Sequence, residues 1–276
     1  MDQTNEGSRP DQKGPLILAL DTASRLTSIA LARGGCVLAE LAMDSPGKGA
    51  ERLWAHIEFL LREIGAGIKD VDAFAVCVGP GGFTGIRIGI AAVQGFVRAS
   101  GKPAVGITSL EAMAMAASPA PRVCVLLEAY RGEVYSQTFK LEPGSIPIGE
   151  NEPFAGPLDD AIKRTLHHHK MVFAGEAATQ NLELINDLSS AGADTGLDSH
   201  VKGGMASVAR QWQISPRIFG VARYVAEIGL LRFQSGKVGG PDSLKACYAR
   251  RAEAEIKLSL GLVGRGLGRE PRPSRE

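Results

Sequence analysis

The stretch Val76–Gly95, VCVGPGGFTGIRIGIAAVQG, decides how this chain folds. An apolar strand ends at Val78, and the residues 79–82 (Gly-Pro-Gly-Gly) turn the chain into a helix predicted over 84–100, with Thr84 as its cap. Glycines permit a tight turn and a close approach of backbones, while a helix start carries unpaired amide donors. The turn is therefore either a cradle for phosphate or a device for packing helices closely.

The helix itself favours close packing over phosphate binding. A P-loop needs a lysine after its glycines, and the dinucleotide fingerprint needs a glycine where this chain has Thr84. A helix that is apolar around most of its circumference is buried on more than one side. We therefore expect it to pack against the sheet and also against a partner chain. Two neighbouring apolar stripes provide these contacts, the first formed by Ile86, Ile90 and Val93 and the second by Gly85, Gly89 and Ala92.

Strands and helices alternate on both sides of this stretch, which indicates an α/β architecture. Three strand-like runs open the chain as an antiparallel meander, and a helix over 52–64 and a strand over 73–78 follow. This β-β-β-α-β-α order is that of an actin-like ATPase lobe, which usually comes as two related lobes. The second half repeats the pattern more loosely, with helices predicted over 158–168, 177–188 and 216–233 and an irregular segment over 189–215.

A second candidate site is the turn 21–24 (Asp-Thr-Ala-Ser) between the first two strands. In actin-like ATPases this turn holds an acidic residue near the metal-bound phosphates, so Asp21, Thr22 and Ser24 are candidate nucleotide or phosphate ligands. The alternative is a polar strand end whose hydroxyl groups cap local amides. Because no lysine and no clear second phosphate turn accompany it, both interpretations stay open.

Composition narrows the function classes. The net charge of +1 gives no whole-molecule field that would attract nucleic acid or a membrane. The four cysteines stand alone without a CxxC pair, and no histidines have the i, i+4 spacing of a helical metal site, so we expect reduced thiols and no metal. No apolar run approaches the ~20 residues of a membrane span. These features predict a cytoplasmic protein that is not bound to a membrane.

Five segments resemble the TsaB family in order and spacing: ILALDTASRLTSIAL, VGPGGFTGIRIGIAAVQGF, GITSLEAMA, EAYRGEVY and YARRAEAEIK. The resemblance covers roughly residues 16–257 and implies an α/β, actin-like ATPase (ASKHA) fold with two lobes of mixed sheets flanked by helices. It also implies a function. TsaB is the non-catalytic partner of TsaD, and with the small ATPase TsaE the pair attaches threonylcarbamoyl to the adenosine beside the anticodon of certain tRNAs, forming t6A.

The resemblance further implies that this chain is not an enzyme by itself. The catalytic relative TsaD carries His-Leu-Glu-Gly-His, whose two histidines hold a metal, where this chain has Ser109-Leu110-Glu111-Ala112-Met113. Serine and methionine do not replace two imidazoles as ligands of a divalent metal. We therefore expect no catalytic residue, no metal and no resident cofactor, with ATP or ADP at the joint with TsaD as the one candidate ligand.

What the resemblance implies for binding is helix-to-helix docking on TsaD. The helices over 84–100 and 52–64 would pair with their counterparts in a four-helix arrangement, and the isolated protein would form a homodimer through the same surface. TsaE is a further expected partner, and tRNA would be bound only indirectly. The expected interface comprises Leu53, Ile57, Leu60, Gly85, Ile86, Gly89, Ile90, Ala92 and Val93.

Two other functions stay open, a metal-dependent peptidase of the glycoprotease type and an actin-like small-molecule kinase. The predicted division of the chain is the same in all cases. It comprises a flexible N-terminal arm (1–14), a first lobe that binds the partner (15–104), a second lobe with a C-terminal helical segment (105–257) and a flexible tail (258–276).

Overall fold

The computed structural model describes residues 13–44, 49–129, 132–191 and 210–247. The first twelve residues of the predicted arm and the whole predicted tail lie outside these ranges, as does most of the predicted irregular segment over 189–215. Among the described helices, none combines the length and the apolar character that crossing a bilayer requires.

The first sheet has five strands in the order β3-β2-β1-β4-β5. Its first three strands form the predicted antiparallel meander, and β4 and β5 then add in parallel to β1. The strands are β1 (Leu16–Asp21), β2 (Leu26–Arg33), β3 (Cys36–Asp44), β4 (Ala73–Cys77) and β5 (Ala104–Ile107). The helices that interrupt this sheet in sequence are α1 (Gly49–Glu63) and α2 (Phe83–Ser100), and α3 (Ser109–Ala116) follows β5.

The second sheet repeats the same topology. Its order is β11-β10-β6-β7-β8, with β9 paired to β7; β6, β7 and β8 are antiparallel, and β10 and β11 add in parallel to β6. Its strands are β6 (Arg122–Glu128), β7 (Glu133–Lys140), β8 (Ile148–Gly149), β9 (Phe154–Pro157), β10 (Lys170–Ala174) and β11 (Gln211–Ile214). Its helices are α4 (Leu158–Lys163), α5 (Glu176–Gln180) and α6 (Leu182–Ala191), and α7 (Ala222–Gln234) follows β11. Two sheets with one strand order confirm the predicted actin-like, two-lobed fold.

The last helix of each half of the chain packs on the sheet of the other half. Side chains of a strand alternate between the faces of a sheet, so Phe74 and Val76 point toward α2, whereas Ala75 faces α7. At the closest approach of α7, a Cβ on Gly229 would lie 2.8 Å from the Cβ of Ala75. In return, α3 packs against β6 and β7 of the second sheet. Helices from both halves of the chain therefore cover each sheet.

This exchange corrects the predicted division at residue 104. The strand β5 continues to Ile107 and pairs with β4, so it belongs to the first sheet, and α7 covers the first sheet although its sequence follows the second. The reason is that parallel strands and crossing helices join residues far apart in sequence. No single cut in the chain separates the two lobes.

Several predicted helices have different limits in the structure. The helix predicted over 158–168 ends at Lys163, and the one predicted over 177–188 is two helices that meet near Asn181. The helix predicted from residue 216 begins only at Ala222. The segment predicted to be irregular contains β11, which is held by its parallel pairing with β10. The helix α2 starts at Phe83 with Gly82 as its N-cap, so Thr84 is not the cap.

Candidate functional site

The two predicted turns of the first lobe touch each other. The amide of Gly82 donates to the carbonyl of Ala23 over 2.8 Å, and a Cβ on Gly81 would lie 2.4 Å from the same oxygen. A Cβ on Gly79, where φ is +101°, would lie 2.7 Å from the carbonyl oxygen of Cys247. The glycines of this turn thus let three backbone segments meet, which is the close-packing role favoured by the sequence.

The side chain of Asp21 is completely buried beside these turns. Its Oδ1 accepts hydrogen bonds from the amides of Ala23 at 2.9 Å and Ser24 at 3.2 Å, while its buried Oδ2 has no hydrogen-bond partner among the residues that the structure describes. Burial raises the pKa of Asp21, and the hydrogen bonds from Ser24 and Ala23 oppose that change in part. Burying an acid with one unpaired oxygen destabilises the folded protein.

The hydroxyl of Thr22 is used within the chain. It donates to the carbonyl of Gly85 over 2.7 Å and so ties the Asp21 turn to the first turn of α2. Of the three predicted phosphate ligands, Asp21 and Thr22 are buried and only Ser24 is partly exposed. Binding of a nucleotide by these residues stays a prediction.

Ser109 and Met113, which the family resemblance aligns with two histidines of TsaD, are part of the core. Ser109 is 2% exposed, and its hydroxyl donates to the sulfur of Cys77 over 3.8 Å. Met113 is also buried. Burial raises the pKa of the Cys77 thiol well above its ordinary value, which keeps the sulfur protonated and unreactive. Within the described ranges, no group of three or more His, Cys, Asp or Glu side chains is arranged to hold a metal ion.

The glycine stripe of α2 faces this chain's own sheet. A Cβ on Gly85 would lie 1.8 Å from the carbonyl oxygen of Thr22, and one on Gly89 would lie 2.4 Å from the Oγ1 of Thr22. Atoms at these distances overlap, so only glycine fits at either position. The close approach predicted from the sequence exists, but it joins α2 to the Asp21 turn of the same chain.

The residue assignment of the predicted partner interface is therefore corrected. The two helices lie side by side on the first sheet, but the apolar side chains assigned to the partner point into the core, because burying them against the sheet stabilises the lobe itself. Ala92 and Gly85 are half-buried, Ala92 on the flank of α2 and Gly85 in contact with Thr22. The inward-facing members are Leu53, Ile57, Leu60, Ile86, Gly89, Ile90 and Val93.

The solvent-facing surface of α1 and α2 is composed of different residues, which we call the outer face. On α2 a stripe of small side chains follows the helical repeat, while on α1 two aromatic side chains are exposed. A Cβ on Gly95 would meet no atom of the described residues within 4 Å. The outer face comprises Trp54, Ala55 and Phe59 of α1 with Thr84, Ile88, Ala91, Gly95 and Ala99 of α2.

Trp54 is the main aromatic side chain of the outer face. It is 58% exposed, and its ring lies 5.3 Å from that of Phe96, which in turn stacks on the buried Phe74. Beside it is a shallow groove of about 490 Å³ between α1 and the turn after it, lined by Trp54, Ile57, Glu58, Leu61, Arg62, Ala66, Gly67 and Ile68. Trp54 and Phe59 are not among the site residues predicted from the sequence, although two aromatic residues on the polar side of an amphipathic helix indicate a binding surface.

Comparisons with known proteins agree with this architecture. Residues 47–220 match the family model described as TsaD, tRNA N6-adenosine threonylcarbamoyltransferase. The tRNA threonylcarbamoyladenosine biosynthesis protein TsaB of Escherichia coli is 35% identical over 56% of this chain and 65% of its own length. The protein of the same name from Haemophilus influenzae is 37% identical over 49% of this chain and 58% of its own length. The matched region thus spans less than two thirds of either relative.

A solved structure shows the same fold over a larger part of the chain. It is an uncharacterized protein from Pseudomonas aeruginosa with similarity to peptidase YeaZ, which superimposes with a TM-score of 0.67. The superposition covers 86% of this chain and all of that one, at 23% sequence identity. This likeness shows the fold alone. The family model and the curated relatives show the family: the chain belongs to the TsaB family, within the wider group of proteins that the TsaD model describes.

Proposed function

We propose that this chain is a non-catalytic subunit in the synthesis of threonylcarbamoyladenosine, and that it acts in the cytoplasm by binding a TsaD-type catalytic subunit. Family membership supports the pathway, since its curated relatives carry that name. The observation that carries the non-catalytic role is the buried pair Ser109 and Met113. Both side chains are packed in the core, and the family resemblance aligns them with the two histidines of TsaD.

The similarity between this chain and its proposed partner supports a particular mode of docking. Because residues 47–220 match the TsaD model, the catalytic subunit has counterparts of α1 and α2. Two related surfaces that meet about a pseudo-twofold axis form a self-complementary interface, here a four-helix arrangement. The small side chains at Ala91 and Gly95 allow a partner helix to approach closely, and Trp54 supplies the kind of large aromatic anchor that dominates binding energies.

The other expected partners are a second copy of this chain, a TsaE-type ATPase and tRNA. An isolated chain would use the outer face to form a homodimer, which competes with the TsaD-type subunit. A TsaE-type ATPase would join the pair after it has formed, with ATP or ADP at the joint. We propose that tRNA binds to the assembly chiefly through the catalytic subunit, because the net charge of this chain is only +1.

The test of docking is a pull-down with the TsaD-type subunit. Gly95→Arg and Ala91→Arg place a long charged side chain on the outer face without touching the core, so they should reduce binding at least tenfold while the protein stays folded. Gln180→Arg, on the exposed surface of the second lobe, is the matched control and should bind normally. Normal binding by both outer-face variants would contradict the proposed surface.

A reconstitution separates the proposed role from catalysis. Purified TsaD-type and TsaE-type subunits, tRNA and the threonylcarbamoyl donor should form modified adenosine only when this chain is added. The double variant Ser109→Ala, Met113→Leu should support the same rate, because neither side chain is proposed to take part in the chemistry. Loss of activity in that double variant, with binding to the partner intact, would contradict the non-catalytic role.

A further inference from the structure

Two connections join the lobes, and an ion pair lies beside the first of them. The first connection is Thr108, between β5 and α3, and the second is the segment 215–221, between β11 and α7. Since α3 packs on the second sheet and α7 on the first, any rotation of one lobe against the other must move α3 relative to α7. A contact between these two helices is therefore a contact between the lobes.

Arg232 of α7 makes that contact. Its Nη1 donates to the carbonyl of Gly106 in β5 over 2.7 Å, and its Nη2 donates to Glu111 in α3. The two side chains are only 19% and 16% exposed, which distinguishes them from most ion pairs of the described residues. One guanidinium thus joins an edge strand of the first sheet, the helix that covers it and the helix that covers the second sheet.

Glu111 is also held by Thr108, the residue that precedes its own helix. Its Oε2 accepts hydrogen bonds from the amide of Thr108 at 2.9 Å and from the hydroxyl of Thr108 at 3.0 Å. Thr108 Oγ1 in turn accepts the amide of Glu111 at 3.1 Å, which completes a capping box at the start of α3. The carboxylate that Arg232 binds is therefore held at the residue where the chain leaves the first sheet.

We propose that Arg232 and Glu111 form a latch that fixes the angle between the two lobes. A partly buried ion pair contributes little net stability, because desolvation offsets much of the attraction, so its main effect is to select one arrangement among several. Here it selects the direction in which α3 leaves β5. The chain then presents its outer face on a rigid body in which the two lobes keep one angle.

Hydrogen–deuterium exchange of the full chain tests the latch. Arg232→Met removes both hydrogen bonds and keeps most of the apolar contact of the side chain. We expect at least fivefold faster exchange at 108–109 and 215–221, the two connections that must flex when the lobes rotate, with unchanged exchange in β1 and β4. The matched control is Arg223→Met, which breaks the ion pair between the same helix and Glu40 of β3, inside the first lobe. That variant should leave both segments unchanged.

Two results would overturn the proposal. One is unchanged exchange at both segments in a folded Arg232→Met variant, and the other is an equal increase in Arg223→Met. If Arg232→Met does not fold, Glu111→Gln decides the question. That change removes the charge but keeps an oxygen for Thr108, and it should give the same two-segment increase at a smaller size. A Glu111→Gln protein with wild-type exchange would also exclude the latch.

Discussion

At the scale of single residues, Asp21 carries a cost that depends on pH. Its pKa is raised in the folded protein because burial disfavours the carboxylate, whereas in the unfolded chain it has its ordinary value near 4. Below pH ~4 the group is protonated in both states and the cost is absent. As pH rises through the folded pKa, the carboxylate must be formed inside the protein and stability is lost.

Asp21→Asn removes this loss. The amide keeps an oxygen for the Ala23 and Ser24 amides and places an uncharged group at the unpaired Oδ2 position. We expect a melting temperature a few degrees above that of the wild type at pH 7, with the difference shrinking toward pH 4. Asp242→Asn, on a side chain that is 95% exposed, should give no such trend. A wild-type melting temperature for Asp21→Asn across this range would refute the assignment.

Two glycines of α2 make a matched pair for packing. Gly85→Ala pushes a Cβ to 1.8 Å from the carbonyl oxygen of Thr22, so α2 must shift from the sheet, at a cost of about 3 kcal/mol or more. Gly95→Ala meets nothing within 4 Å and should stabilise the helix by up to ~1 kcal/mol. Chemical denaturation of the two variants measures both values. Equal changes in stability would mean that the stripe does not face the sheet.

The same pair shows what the sequence could reveal at this scale. The spacing of Gly85 and Gly89 predicted a close backbone approach, and the approach exists. The pattern could not identify the approaching segment, because a turn of the same chain and a helix of a partner need the same absence of a Cβ. The predicted docking residues were therefore assigned to the wrong side of α2.

At the scale of elements, α7 depends on a residue far away in sequence. The hydroxyl oxygen of Ser28 in β2 accepts the amides of Val221 at 3.2 Å and Ala222 at 3.1 Å, and all three residues are buried. This is the capping interaction that a helix start requires, supplied by another strand. The sequence predicted the start at residue 216, because an apolar run after a proline contains no local sign of a cap 193 positions away.

Ser28→Ala leaves two buried amides without an acceptor. We expect a loss of about 1–3 kcal/mol in the free energy of unfolding, measured by urea denaturation, because each group has lost its solvation without gaining a partner. Ser190→Ala is the comparison: its hydroxyl is exposed and donates to the carbonyl of Asn186 in the same helix, so that loss should stay below ~0.5 kcal/mol. Similar losses for both serines would argue against the remote cap.

Element limits were predicted best where the signal is local. The helix α2 lies where the sequence predicted it, and the meander of the first three strands is confirmed. The strand β11 was missed because its four residues, QWQI, depend on pairing with β10 and on Trp212, whose Nε1 donates to the carbonyl of His168 over 2.8 Å. Neither contact has a signature in neighbouring residues.

At the scale of the whole molecule, the exchange of α3 and α7 makes the lobes interdependent. A fragment of residues 1–121 contains the complete first sheet but lacks α7, which covers one face of β1, β2 and β4. We expect this fragment to lack a cooperative thermal transition, because a sheet needs both apolar faces covered. Joining residues 216–247 to it through a flexible linker should restore the transition. Cooperative melting of the unlinked fragment would show that the lobe is autonomous.

The topology also sets the order of events during synthesis. A ribosome adds ~5–20 residues per second, and the helix that closes the first sheet, α7, ends at Gln234, after every strand of the second sheet. The apolar face of the nascent first sheet therefore stays exposed for several seconds. A chaperone can bind such a face during that time. Slow codons placed between β5 and α7 should lengthen this time and lower the yield of native protein in the cell.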